Sequence, residues 1–242
     1  MNVGLIGVAL ACAGMFGCAG AQRTASGDLT ELLAKHLAAR GGPERVHAWT
    51  TAHLAGTLFL GPQKVPLIVD IASAGLVREE ARFTQGNFVR TFDGHEGWEV
   101  NPFVPAKEPR KLTEDELKDR RAVADFNGPL VDAEQKHITL ERLADDVIDG
   151  HPVAHLRSTR PDGRSEDDFV DLTTFQLVRV QQKLGDGSLN EANYKDFRCV
   201  DKLPCSAFVI ESGLPGQGAQ QRIVFDEMVA NDGTTAERFK KP

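Results

Sequence analysis

The sequence predicts an α+β domain, mostly β: one long antiparallel sheet that curves, with too few helices to cover both of its faces. Three observations predict it. About a dozen short runs of β-branched, Leu and aromatic residues are separated by turn signals. Only two segments carry sustained helical spacing behind a cap. Helices and strands do not alternate, which argues against a parallel doubly wound sheet.

Residues 3–17 carry no charge and are rich in Gly, Ala, Leu and Val. An apolar stretch that ends in small residues is the pattern of an export signal. Two processing readings stand. Ala19-Gly20-Ala21 is a cleavage site that would release a soluble periplasmic protein. Met15-Phe16-Gly17-Cys18 resembles the lipobox of bacterial lipoproteins, in which Cys18 would be acylated. The lipobox is preferred, and it implies an outer-membrane anchor with the domain facing the periplasm. Residues 1–18 are therefore read as the signal segment. Residues 19–27, small and polar, are read as a flexible tether, and 28–242 as the folded domain.

Asp28-Leu29-Thr30-Glu31 reads as a capping box with Asp28 as N-cap. Leu29, Leu32, Leu33, His36 and Leu37 follow at helical spacing up to Gly41-Gly42, which predicts a helix over 29–40. A short helical turn is expected over 43–49. Strands are expected at 52–60, 65–72, 76–83, 87–92 and 97–100, a meander of adjacent antiparallel strands. Pro102, Pro105 and Pro109 keep 101–110 out of any central strand. Thr113-Glu114-Asp115-Glu116 is a second capping box. It opens a charged helix towards Phe126 with Leu117, Val123 and Ala124 as a thin apolar side. Gly128-Pro129 stops it, and one more helical turn is expected over 130–136. Further strands are expected at 138–142, 152–159, 165–171, 177–184, 191–198, 205–211 and 222–229. Asp149-Gly150, Asp162-Gly163 and Asp186-Gly187 supply hairpin turns.

A sheet of so many strands curls or closes. Alternate residues then line its concave face, and helices closing one side leave an apolar cavity. The residues expected to line that cavity and bind lipid are Leu67, Val69, Ile71, Val77, Phe83, Phe88, Trp98 and Phe103. Trp98 has two readings, a core anchor and an aromatic wall of the cavity mouth.

No catalytic constellation stands out. The sequence holds no Gly-x-Ser-x-Gly and no His-Glu-x-x-His. His151 and His155 on a strand would stand roughly 13 Å apart, too far to share a metal ion. No metal site, cofactor or catalytic residue is expected. Asp145-Asp146 and Glu166-Asp167-Asp168 read as solvated loop charge, because strand neighbours point to opposite faces. The glycines of 213–218 precede a strand, so they read as a hairpin loop rather than a phosphate cradle. Cys199 and Cys205 flank a short connection, and an oxidising envelope would let them form a disulfide; two free thiols are the alternative. A net charge of −7 with interspersed signs argues against a nucleic-acid partner.

Two blocks carry a resemblance. Phe92-Asp93-Gly94-x-x-Gly97-Trp98-x-Val100-Asn101-Pro102-Phe103 and Ala124-Asp125-Phe126-Asn127-Gly128-Pro129-Leu130-Val131-Asp132 resemble stretches of the LolA/LolB-like outer-membrane lipoprotein-sorting superfamily. Weaker matches are residues 149–156, Phe169-Val170-Asp171-Leu172, Phe175 and Arg238-Phe239-Lys240-Lys241-Pro242, so the resemblance runs from about Ala38 to the end. It implies an incomplete antiparallel β-barrel with a helical lid over a hydrophobic cavity. It also implies partners: lipid or lipoprotein acyl chains, and the membrane through an acylated Cys18. The expected function is non-catalytic acyl-chain binding or transfer in the bacterial cell envelope. The alternatives are an envelope sensor or scaffold that binds a protein partner, and a hydrolase of envelope lipids. The Cys199/Cys205 pair and the charged helix after Thr113 depart from the superfamily pattern.

Overall fold

The computed structural model describes residues 19–106, 108–184 and 187–242. The expected signal segment, with Cys12 and Cys18, lies outside them. The chain forms helices α1 (Ala19–Ala39) and α2 (Gly42–His47), then strands β1 (Thr51–Leu60), β2 (Gln63–Ala72), β3 (Leu76–Phe83), β4 (Gly86–Phe92), β5 (Gly97–Val100) and β6 (Arg110–Lys111). Helix α3 (Glu114–Ala124) separates these from β7 (Thr139–Arg142), β8 (Asp146–Ile148), β9 (His151–Thr159) and β10 (Ser165–Asp171). Strands β11 (Leu177–Lys183), β12 (Leu189–Arg198), β13 (Ser206–Gly213) and β14 (Gln221–Ala230) and a 3-10 turn, Ala236–Phe239, complete the chain.

The strands form one 14-stranded sheet in the order β6-β5-β4-β3-β2-β1-β14-β13-β12-β11-β10-β9-β7, with β8 also paired to β9. Every pairing is antiparallel. Two meanders, β1–β6 and β7–β14, are therefore joined along one seam, where the first strand meets the last. The ends of the order, β6 and β7, are not paired with each other, so the sheet is not a closed barrel.

The N-terminal helix differs from expectation. It begins at Ala19, so the segment read as a tether is helical, and Asp28 lies inside the helix rather than capping it. A helix interior tolerates Ser and Gly at about 1 kcal/mol or less each, and the Asp28 carboxylate instead pairs with Arg142 at 2.9 Å. The second capping box forms as expected: Thr113 accepts from the Glu116 amide while Glu116 accepts from the Thr113 amide. Residues 132–137 make hydrogen-bonded turns without becoming a helix, with Asp132 and His137 at positive φ.

Both long helices pack on the concave face. Strand register puts Ala52, Ile71, Val77, Phe92 and Gly97 in one cross-strand row there. Helix α3 lies over that row with Leu117 and Ala124, in one core cluster that includes Leu112 and Val69. Gly97 makes the close approach possible: a Cβ there would stand 2.6 Å from Leu112 Cδ1 and 2.8 Å from Leu117 Cδ2. On the other half, α1 packs Leu32 against Ala154, Leu156 and Val170. The disulfide Cys199–Cys205 closes the β12–β13 loop. That loop holds the α1–α2 corner: Arg45 donates to the carbonyls of Val200 and Leu203, and the Cys205 amide donates to the carbonyl of Arg40.

The convex face has its own cover. Phe239, in the C-terminal 3-10 turn, is buried. Arg238 pairs with the buried Asp70 at 2.8 Å and approaches Glu80 at 3.8 Å. Glu80 is already paired with Arg78 and Arg82, at 3.1 and 3.0 Å, but burying the Asp70 carboxylate without a cation would be costly, so the tail serves as a latch on β2 beside β3.

Candidate functional site: the uncovered middle of the concave face

Helix α1 covers the concave side of β9 and β10, and α3 covers that of β2–β4. Between them a cross-strand row is left half-buried. Tyr194 on β12 faces Ile210 on β13, Ile210 faces Ile223 on β14, and Ile223 faces Leu58 on β1. Each of these residues keeps partial exposure although its strand lies in the middle of the sheet, and the Tyr194 phenol itself is buried. Val65, opposite Leu58, is buried, and Phe83 and Phe88 extend the apolar strip on β3 and β4. An apolar row left half-exposed in the middle of a sheet is a surface for an apolar ligand.

The polar groups beside the row are arranged by the pleat. Asp168 and Glu166 point inward from β10, while Asp167 points outward to Arg157 at 2.8 Å. Reading 166–168 as solvated loop charge is therefore corrected. The residues are a strand, and Asp168 is fully buried. Burial and the neighbouring Glu166 push its carboxyl well above the usual range. Ser158 donates a hydrogen bond to one of its oxygens. Burial, Glu166 and Asp168 likewise push the Tyr194 phenol up. Glu166 itself pairs with Arg160 at 2.9 Å.

A second charged row lies under α3. Arg120 pairs with Glu79, and Arg90 and Arg110 both pair with Glu99, at 2.7 and 3.1 Å. Arg110 also pairs with Glu116 at 2.8 Å, which with the capping amide holds the Glu116 carboxyl down to about 2. These ions clamp the lid to the sheet.

At the C-terminal end of α3 a cavity of about 720 Å³ opens between Trp49, Phe126, Ile138 and the β2–β3 and β9–β10 turns. The second sequence block builds its wall. Phe126 meets Trp49 edge-on at 5.2 Å. Asn127 accepts from the Trp49 indole at 3.3 Å and donates to the Val46 carbonyl.

The residues expected to bind lipid are divided by the structure. Leu67, Val69, Ile71 and Val77 lie on the concave face, but they are packed beneath α3. Phe83 and Phe88 lie on the same face and stay half-buried. Phe103, 54% exposed, caps Phe83 edge-on at 4.8 Å. Trp98 is not brought together with them. It pairs with Thr91, one residue out of phase with the Phe92 row, so it points to the convex face, where Lys241 sits 4.7 Å from its ring. Its reading as a cavity wall is thus corrected by register. Leu58, Tyr194, Ile210 and Ile223 were not among the expected residues. Their alternation is visible in sequence, but which face is concave depends on the β1–β14 pairing.

Among the described residues, His53, Asp70 and Asp232 bring ligand atoms within 4.8 Å of one another. Arg238 already neutralises Asp70, and His53 Nδ1 lies 2.5 Å from it. Thr51 and Thr234 donate to Asp232, so the group is a hydrogen-bonded network around the Arg238–Asp70 ion pair. His151 and His155 take separate partners, Asp171 and Asp167. No described helix is long and apolar enough to cross a membrane.

No protein-family model and no curated protein sequence matches the chain. Solved structures do. An outer membrane lipoprotein-sorting protein domain from Vibrio parahaemolyticus is similar at TM-score 0.58 and 13% identity, over 88% of this chain and 97% of that one. A LolA superfamily protein from Nitrosomonas europaea gives 0.58 and 15%, and a DUF1329 family protein from Desulfovibrio piger 0.56 and 10%, with the same coverage. At these identities the likeness is one of fold.

Proposed function

We propose that this chain, which has the LolA-like fold, binds the acyl chain of a lipid or lipoprotein on the middle of its concave face, in the bacterial cell envelope. It performs no covalent chemistry. The observation that carries the reading is the half-buried row Tyr194–Ile210–Ile223–Leu58, left bare between two helices that cover its flanks. Each methylene laid on such a row gains roughly 0.8 kcal/mol, less the cost of ordering the chain. Phe83, Phe88 and Phe103 extend the row towards the lid, while Leu67, Val69, Ile71 and Val77 stay buried beneath α3. An export segment over residues 1–18 would carry the domain to the envelope, anchored through Cys18 if the lipobox is used and soluble if cleavage follows Ala21.

Mass spectrometry of the intact full chain, purified without harsh detergent, tests both parts. Co-purified acyl lipid is expected, and the mass of the protein reports acylation of Cys18. Ile223→Glu puts a charge in the row and is expected to abolish retention of lipid while the far-ultraviolet spectrum stays unchanged. Equal retention by the variant would refute the site.

A second reading is a scaffold that binds an envelope protein. The packing of α1 and α3 onto the flanks of the concave face favours it, because it narrows the room for lipid. Lipid-free protein after gentle purification would turn the choice towards it.

A further inference from the structure

A band of polar side chains runs beside the apolar row of the concave face. Glu166 points inward from β10, and register sets Gln182 on β11 opposite it and Asn190 on β12 opposite Gln182. Ser212 on β13 and Gln221 on β14 face each other in the same way and continue the band. Asn190, Ser212 and Gln221 stand an even number of places along their strands from Tyr194, Ile210 and Ile223, so band and row share one face.

Most of the band is already satisfied. Glu166 pairs with Arg160 at 2.9 Å, and Gln221 donates to the Ser212 hydroxyl at 2.8 Å. Gln182 and Asn190 are different. Both are half-buried, and neither side-chain amide makes a hydrogen bond among the described residues. Strand residues directly opposite each other hold their Cβ atoms about 5 Å apart, within reach of an amide–amide bond, yet these two do not bond each other. A solvated amide at the end of a strand is ordinary. Two unused amides side by side on the inward face, next to an apolar row, offer a hydroxyl group a place to donate and accept at once.

The charges nearby argue for an uncharged group. Glu166 and Asp168 share the inward face of β10, and the cation that Glu166 holds, Arg160, is shared with Asp125 at 3.4 Å. Lys183, next along β11, is turned to the other face by the pleat. An anionic head laid on the band meets carboxyl groups before it meets a cation, and a cationic one must displace Arg160 from Glu166.

We infer that Gln182 and Asn190 select the head of the ligand: an uncharged, hydroxyl-bearing group, a glycerol or a sugar, whose alkyl tail lies along Tyr194, Ile210, Ile223 and Leu58. The inference rests on the acyl-binding reading and adds to it the class of head.

Calorimetric titration of the full chain with 1-monolaurin, dodecyl maltoside, dodecyl phosphate and dodecylamine, which carry tails of one length, tests it. A hydroxylated head is expected to bind about tenfold more tightly than either charged one, the scale of one or two neutral hydrogen bonds. Gln182→Met combined with Asn190→Leu removes both amides at nearly constant volume. It is expected to bring the hydroxylated heads down to the level of the charged ones while the far-ultraviolet spectrum stays unchanged. Gln182→Asn, which keeps an amide on a shorter stem, is expected to retain part of the advantage. A full advantage that persists in the double variant overturns the inference. Equal binding of all heads by the unaltered chain, or tightest binding of a charged one, overturns it too and leaves acyl binding standing. Binding of no amphiphile overturns both. Monolaurin ahead of the maltoside identifies a glycerol head and the reverse order a sugar, and either supports the inference.

Discussion

Two buried side chains set opposite pH dependences. His36 lies inside the α1 contact, fully buried, with Nδ1 2.8 Å from the Phe175 carbonyl. Burial holds its imidazole down to about 4, against 6.5 in water. Between those values the unfolded chain takes up a proton that the folded chain refuses, so stability falls as pH drops from 6.5 towards 4. The full loss is about 3 kcal/mol. Urea midpoints measured from pH 7 to pH 4.5 should show this slope, and His36→Gln, which keeps a donor for Phe175, should flatten it. Asp168 works the other way. Its carboxyl is raised, so the folded chain keeps a proton that the unfolded chain releases, and stability is lost as pH rises above about 3.8. Asp168→Asn supplies a permanently neutral group beside Ser158. The variant should be more stable than the unaltered chain at pH 7, with the gap closing near pH 3; a less stable variant at pH 7 would show the carboxylate to be ionised and paired.

At the scale of elements, what was legible in sequence tracked local chemistry. Strands β3, β5 and β10 occupy the residues expected, because turn residues bound them and alternation fills them. The Thr113 capping box is a contact within four residues and forms as read. Strands β6 and β8, of two and three residues, were missed, because only their neighbours in the sheet make them strands. The same limit hid the site: the alternation of β1 and β14 names two faces, but only their pairing and the helices decide which is bare. The C-terminal latch was likewise legible as a motif and not as a device. Phe239 is buried on the convex side of β3, a face that alternation alone would leave to solvent. Phe239→Ala should cost about 3 kcal/mol, in the range for an aromatic core deletion. It should also loosen Arg238 from Asp70. Denaturant unfolding would read the loss, and a change under 1 kcal/mol on the same scale would mean the tail merely rests on the surface.

At the scale of the whole molecule, the β1–β14 seam is the one connection that makes a single sheet of two meanders, and the proposed binding row crosses it from Ile223 to Leu58. The register shifts at Ala55/Gly56, so the strands approach unevenly there. A Cβ on Gly56 would stand 2.2 Å from the Val224 carbonyl oxygen and 2.8 Å from Phe225 Cα. Both are backbone atoms of a paired strand, so no side-chain rotation relieves the overlap, and the seam itself must open. Local contacts within each meander survive such a change, whereas the long-range pairing does not. Gly56→Ala should therefore keep much of its β signal in circular dichroism, lose more than about 3 kcal/mol of stability, and expose the amides of β1 and β14 to hydrogen exchange before those of β10. Acyl retention should vanish with the seam, because Leu58 and Ile223 part together. Retention at the unaltered level with fast exchange along β14 would place the ligand elsewhere, on one meander alone.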